Sequence, residues 1–114
     1  MAVVRITVAV AKVLRAFLED PAQPRYGYEL MRVTGFPSGK LYPILAKLQA
    51  VGWLVRERED IDPSMAGRPA RRLYRLSPEG TRAAREELTT LSAELRPPML
   101  AEQPRVLRTE GGLP

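Results

Sequence analysis

The chain has 114 residues, 45% of them apolar, and carries 18 Lys and Arg against 13 Asp and Glu, for a net charge of +5. This length holds one ordinary domain with a modest core, and at such a size only roughly two-thirds of the unfolded surface is buried on folding, so self-association would add stability. With no Cys and no His, disulfides, thiolate or imidazole metal sites, Cys nucleophiles and His general bases are all excluded, while a pI near 10.1 makes nucleic acid a natural partner.

Taken in chain order, Val4, Ile6 and Val8 alternate with Arg5 and Thr7, a pattern compatible with a short strand. From Thr7 to Glu19, Val10, Leu14, Phe17 and Leu18 recur at helical spacing, and Thr7 is available as the cap. The run Asp20-Pro21-Ala22-Gln23-Pro24 breaks that helix, because proline has no amide to donate. A second, short helix fits Tyr26 to Thr34 and stops at Gly35, the residue type best suited to a left-handed terminus. Ser38 reads as the N-cap of a third helix with Leu41, Ile44, Leu45, Leu48 and Val51 on one face, distorted in its first turn by Pro43 and ended by Gly52.

Trp53 to Glu59 reads as a strand, Asp60 to Pro69 as a loop of Asp, Pro, Ser and Gly, and Leu73 to Leu76 as the returning strand of a hairpin. Ser77, Pro78 and Glu79 start a last helix in which Ala84, Leu88, Leu91 and Leu95 make a heptad-like seam with no evident partner in so short a chain. Pro97 and Pro98 end it. From Met99 to Pro114 the sequence mixes Pro, Gly, Gln and charges without a period, and disorder is expected.

Three helices followed by a hairpin is the order of a winged helix-turn-helix, in which the third helix enters the major groove and the hairpin flanks it. The expected fold is therefore mainly α with a small β-hairpin, with residues 1–77 as a winged helix-turn-helix domain, 78–96 as a C-terminal dimerisation helix and 97–114 as a disordered tail. Arg68, Arg71, Arg72 and Arg75 lie at or just after the hairpin tip with no acid between Met65 and Leu76, a cluster able to reach phosphates or a minor groove. Gly67 and Pro69 suggest a narrow turn presenting Arg68. On the third helix, Ser38, Gly39, Lys40 and Tyr42, with Lys47 further along, are candidates to meet bases or backbone; Tyr26 adds a phenol that can bond a phosphate or cap the core edge.

The segments Tyr26-Gly27-Tyr28-Glu29-Leu30, Ser38-Gly39-Lys40-Leu41-Tyr42-Pro43, Gly52-Trp53-Leu54, Gly67-Arg68-Pro69-Ala70-Arg71-Arg72-Leu73-Tyr74 and Leu76-Ser77-Pro78-Glu79-Gly80 together resemble the PadR family of bacterial winged-helix regulators. The resemblance spans about Thr7 to Leu95. It implies a homodimer, joined through the C-terminal helix, whose two third helices address a pseudo-palindromic operator in double-stranded DNA, with repression as the expected outcome; a cytoplasmic location is expected from the want of a signal peptide and of any apolar run near 18 residues. It places Ser38, Lys40 and Tyr42 on the recognition helix and Gly67, Arg68 and Pro69 at the wing tip. Where the family commonly has threonine, this chain has Lys40. The family also implies a small-molecule effector, of open identity here, since no aromatic lies between Arg75 and Pro114 to sandwich a planar drug.

The resemblance points to a short subgroup with one C-terminal helix, while the want of Cys, His and any long apolar run leaves no cofactor, metal or membrane partner expected. A second reading keeps the winged helix as a protein-interaction module without DNA binding, since fold does not fix function. An enzyme is the third: Asp60 and Asp62 stand close together, but in a charged loop, where a solvated or ion-paired role is the ordinary one.

Overall fold

A computed structural model describes residues 4–96. Its first element, α1 (Val8–Leu18), begins where the Thr7 hydroxyl accepts the Val10 amide at 3.2 Å, satisfying one of the otherwise unpaired donors of the first turn. Val4 to Thr7 form no strand, contrary to the alternation in the sequence; Val4 and Ile6 instead lie partly buried against the core as an irregular lead-in.

The core follows from the helical periods. Val13, Leu14 and Phe17 of α1 meet Leu30 of α2 (Gly27–Thr34) and Leu41, Leu45 and Leu48 of α3 (Ser38–Ala50), all essentially sealed from solvent. Truncating a side chain such as Phe17 to Ala would cost about 3–5 kcal/mol in lost transfer energy and residual cavity. Gly35 ends α2 with φ of 75°, a conformation in which a Cβ would be strained. α3 starts one residue earlier than its sequence suggested: Ser38 is its first helical residue, Pro37 occupies the cap position, and no side chain caps the end.

The β-structure is a three-stranded antiparallel sheet rather than a plain hairpin. β2 (Leu54–Arg58) pairs with β3 (Arg72–Leu76), and a two-residue strand β1 (Arg25–Tyr26), immediately before α2, pairs with the other edge of β3. The register sets Leu54 opposite Leu76, Arg56 opposite Tyr74 and Arg58 opposite Arg72. Because side chains alternate across a strand, these three pairs share the face that begins in the core, while Val55, Glu57, Leu73 and Arg75 project from the other. Within the segment expected to be loop, Asp62 caps a single turn, α4 (Pro63–Ala66), which ends at Gly67 with φ of 73°.

α5 (Pro78–Leu95) is joined to the sheet by Ser77, whose amide donates to the Trp53 carbonyl at 3.0 Å and whose hydroxyl accepts the Gly80 amide at 2.9 Å. The same hydroxyl donates to the Gly52 carbonyl at 2.7 Å. The first half of α5 then packs on α1, and Ala84 is fully buried in the common core. Ala84, read from the sequence as part of a dimer seam, is thus covered by its own chain. The expected disordered tail, 97–114, lies outside the described residues.

Gly80 rests directly on the Trp53 backbone, so that a Cβ there would run into the carbonyl. Gly80→Ala should therefore destabilise the fold by about 1–3 kcal/mol, as overpacking against unyielding backbone does. In urea denaturation this would appear as a lower midpoint with an unchanged slope.

Candidate nucleic-acid interface

The buried stripe of α3 fixes what the helix shows to solvent. At 100° per residue, the direction opposite Leu41, Ile44, Leu45 and Leu48 is held by Gly39, Pro43, Ala46 and Ala50, all exposed. This ridge of small residues has Lys40 and Lys47 along one flank and Ser38, Tyr42 and Gln49 along the other. The candidates Ser38, Gly39, Lys40, Tyr42 and Lys47 therefore lie on one exposed surface.

Two of them are held in place. The Lys40 ammonium sits 4.4 Å from the centre of the Phe36 ring, and Lys12 of α1 approaches the same ring at 5.9 Å, both in cation–π range. Tyr42, 38% exposed, lays its phenol across Gly27 at the start of α2, in space that any side chain at position 27 would need. One edge of Tyr42 is consequently packed and the other free.

The wing arranges its arginines differently from the sequence expectation. Arg68 does not stand out from a narrow turn: its guanidinium grips both oxygens of Glu59, at 2.8 and 3.1 Å, in a fork that matches carboxylate geometry. Glu59 also accepts the Tyr26 hydroxyl at 3.0 Å and the Arg71 amide at 3.2 Å, and its side chain is only 12% exposed. Tyr26 is thereby committed to the interior of this network, with the Arg71 guanidinium 5.2 Å above its ring. Gly67 serves as the left-handed end of α4, and Pro69 offers its carbonyl to Arg68 at 3.2 Å.

Four donors on one carboxylate stabilise its charged form. Chiefly through the Arg68 hydrogen bonds, which outweigh the opposing effect of desolvation, and with smaller help from the Arg71 amide and Tyr26, the Glu59 pKa falls from 4.5 to about 2. Sequence reading missed Glu59 altogether, since its partners lie 9, 12 and 33 residues away and only the sheet register brings them together. It also missed Arg25, which ties Glu29 of α2 at 2.9 Å to Glu19 beyond α1 at 3.7 Å.

A second surface lies between α1 and α5. There Leu88, Leu91 and Leu95 face Val8, Ala11 and Lys12 across an open groove of about 630 Å³, and Val8 and Leu95 remain 59% and 65% exposed. Among the described residues no helix is long and apolar enough to cross a membrane.

Compared with known proteins, residues 16–86 match the model of a family described as the transcriptional regulator PadR-like family. The fold is similar to that of smu.1704 from Streptococcus mutans UA159, at 18% identity and a TM-score of 0.65, covering 90% of this chain and 92% of that one. It is also similar to a PadR-like transcription factor from Bacteroides fragilis (17% identity, TM-score 0.59, 76% and 86% covered) and to the circadian clock associated protein Pex from Anabaena (21%, 0.58, 77% and 77%). No curated protein gives a significant match.

Because the depressed Glu59 pKa means the folded state holds its charged form, the contribution is fully present above about pH 4.5 and is lost as pH falls toward 2. The melting-temperature gap between the wild type and Glu59→Gln should be constant at neutral pH and close across that acid window. A gap that is independent of pH down to 2 would show that the carboxylate's charge contributes nothing.

Proposed function

Since the chain belongs to the PadR-like family of transcriptional regulators, we propose that it binds a pseudo-palindromic operator as a homodimer and represses the adjoining gene from the cytoplasm. The observation that carries this reading is the exposed face of α3, a ridge of Gly39, Pro43, Ala46 and Ala50 edged by Lys40 and Lys47. Small residues let the helix axis approach the floor of a major groove. The lysines on its flank meet the phosphates that line it, which sets register and supplies salt-dependent affinity.

Tyr42 and Ser38, on the opposite flank, offer hydroxyls to base edges or to the second strand, and Tyr42 does so from a ring already seated on Gly27. Gln49 lies farther along that flank. In this reading Tyr26 and Arg68 act through the Glu59 network, holding the wing against the start of α2, while the Arg71 side chain stays exposed toward solvent.

The dimer reading rests on the groove between α1 and α5. Apolar side chains as exposed as Val8 and Leu95, aligned with Leu88 and Leu91, are what a helix from a second copy would cover, and burying them contributes roughly 25 cal/mol per Å². Two-fold pairing would set two α3 helices on half-sites about 34 Å, one turn of DNA, apart.

An electrophoretic shift with the DNA upstream of the protein's own gene, repeated across a salt series, tests DNA binding. Wild type should bind with a steep salt dependence, and Lys40→Ala and Lys47→Ala should each flatten the slope of log K against log salt by about 1.8, one phosphate contact per protomer and so two per dimer. Absence of sequence-selective binding would overturn the proposal. Sedimentation tests the dimer: Leu95→Asp should convert it to a folded monomer, and a variant that sediments like the wild type would remove the α1–α5 groove as the interface.

A further inference from the structure

The wing sheet sorts its charges by face. Glu57 and Glu59 project from the face that carries Leu73, where Glu57 pairs with Arg75 and Glu59 with Arg68. The opposite face continues outward from the core pair Leu54–Leu76 through Arg56–Tyr74 to Arg58–Arg72, and it holds three exposed arginines and no carboxylate within β2 or β3. Among the described residues, Arg56, Arg58 and Arg72 make no ion pair, whereas Arg25, Arg68 and Arg75 do.

Arg58 and Arg72 are direct cross-strand partners. Like charges so placed destabilise a strand pair, and a carboxylate at either position would reverse the sign. Together with Arg56 and Ala70, and with Glu57, whose carboxylate is taken by Arg75, they line a cavity of about 440 Å³. This face is also the side of the sheet from which Leu54 and Leu76 enter the core shared with α3, and α3 packs against β2.

We propose that Arg56, Arg58 and Arg72 form a cradle for consecutive backbone phosphates of the DNA strand beside the groove that α3 enters. The proposal rests on the DNA-binding reading above and assigns the wing's phosphate contact to the strand arginines rather than to Arg68. Guanidinium groups suit this role because their donors form a planar fork that matches phosphate oxygens, and the anion removes the repulsion that the bare register imposes. Glu59 and Glu57 are already engaged by Arg68 and Arg75, which leaves Arg56, Arg58 and Arg72 without an ion-pair partner among the described residues.

The test is a single substitution with two opposed readouts. Arg58→Glu places an opposite charge across from Arg72, so the melting temperature should rise by about 2 °C or more. The same change removes one phosphate contact and occupies a second arginine in each protomer, so the salt slope of the dimer on the upstream fragment should flatten by about 3.6 and affinity should fall about tenfold or more. The pair Arg58→Gln and Arg72→Gln, measured alongside, should flatten the slope without needing a new ion pair.

Wild-type affinity and slope in these variants would overturn the cradle while leaving DNA binding by α3 intact, which the Lys40→Ala slope reports separately. A wild type that binds no DNA would overturn both readings. Stabilisation of the wild type by inorganic pyrophosphate that is lost in Arg58→Glu, with DNA affinity unchanged, would assign the cavity to a free anion instead and overturn the proposal.

Discussion

One carboxylate sets the geometry of the wing. Glu59 stands just beyond β2, accepts both nitrogens of Arg68 from the returning loop and the Arg71 amide ahead of β3, and reaches the Tyr26 hydroxyl in β1. It therefore fastens three segments that the chain presents far apart. A carboxylate this little exposed is costly to bury unless its lone pairs are filled, and here four donors fill them, so network and position require one another. The partition of arginines between the two faces, and with it the separation of tethered from free positive charge, follows from where Glu59 and Glu57 project.

The helical part rests on a different constraint, the sealing of α1. Val13, Leu14 and Phe17 are buried by α2 and α3, and the start of α5 closes the remaining side through Ala84. Ser77 makes that closure possible by binding the Gly52 carbonyl and the Gly80 amide at once, which turns the chain from sheet to helix within one residue. The solvent face of α3 is then presented from a framework in which Phe36 and Gly27 hold Lys40 and Tyr42.

What was legible in the sequence was whatever repeats or punctuates locally. The 3.6-residue stripes of α1, α3 and α5, the caps at Thr7 and Ser77 and the stop at Gly35 all have short-range causes, and the structure places them as read. The strand β1 escaped because two residues carry no period and Tyr26 reads equally well as a helix start. The turn α4 was hidden because Asp62, Pro63 and Gly67, its cap, first residue and terminator, are also the residues of loops. Ala84 was assigned to a partner because a seam is visible in sequence while the helix that covers its first position is not. Arg68 looked free for the same reason that Glu59 looked unremarkable: an ion pair across a hairpin exists only once the register does.

The short strand β1 has a further effect. By pairing with Tyr74 and Leu73 it makes β3 an interior strand at the wing's base, so a slip of register would break two ladders instead of one. A lone two-stranded hairpin is marginal in water and would lose much of its conformational freedom only on meeting a partner. Here that loss is incurred during folding, and association is spared the ordering entropy that a pliable wing would bring to it.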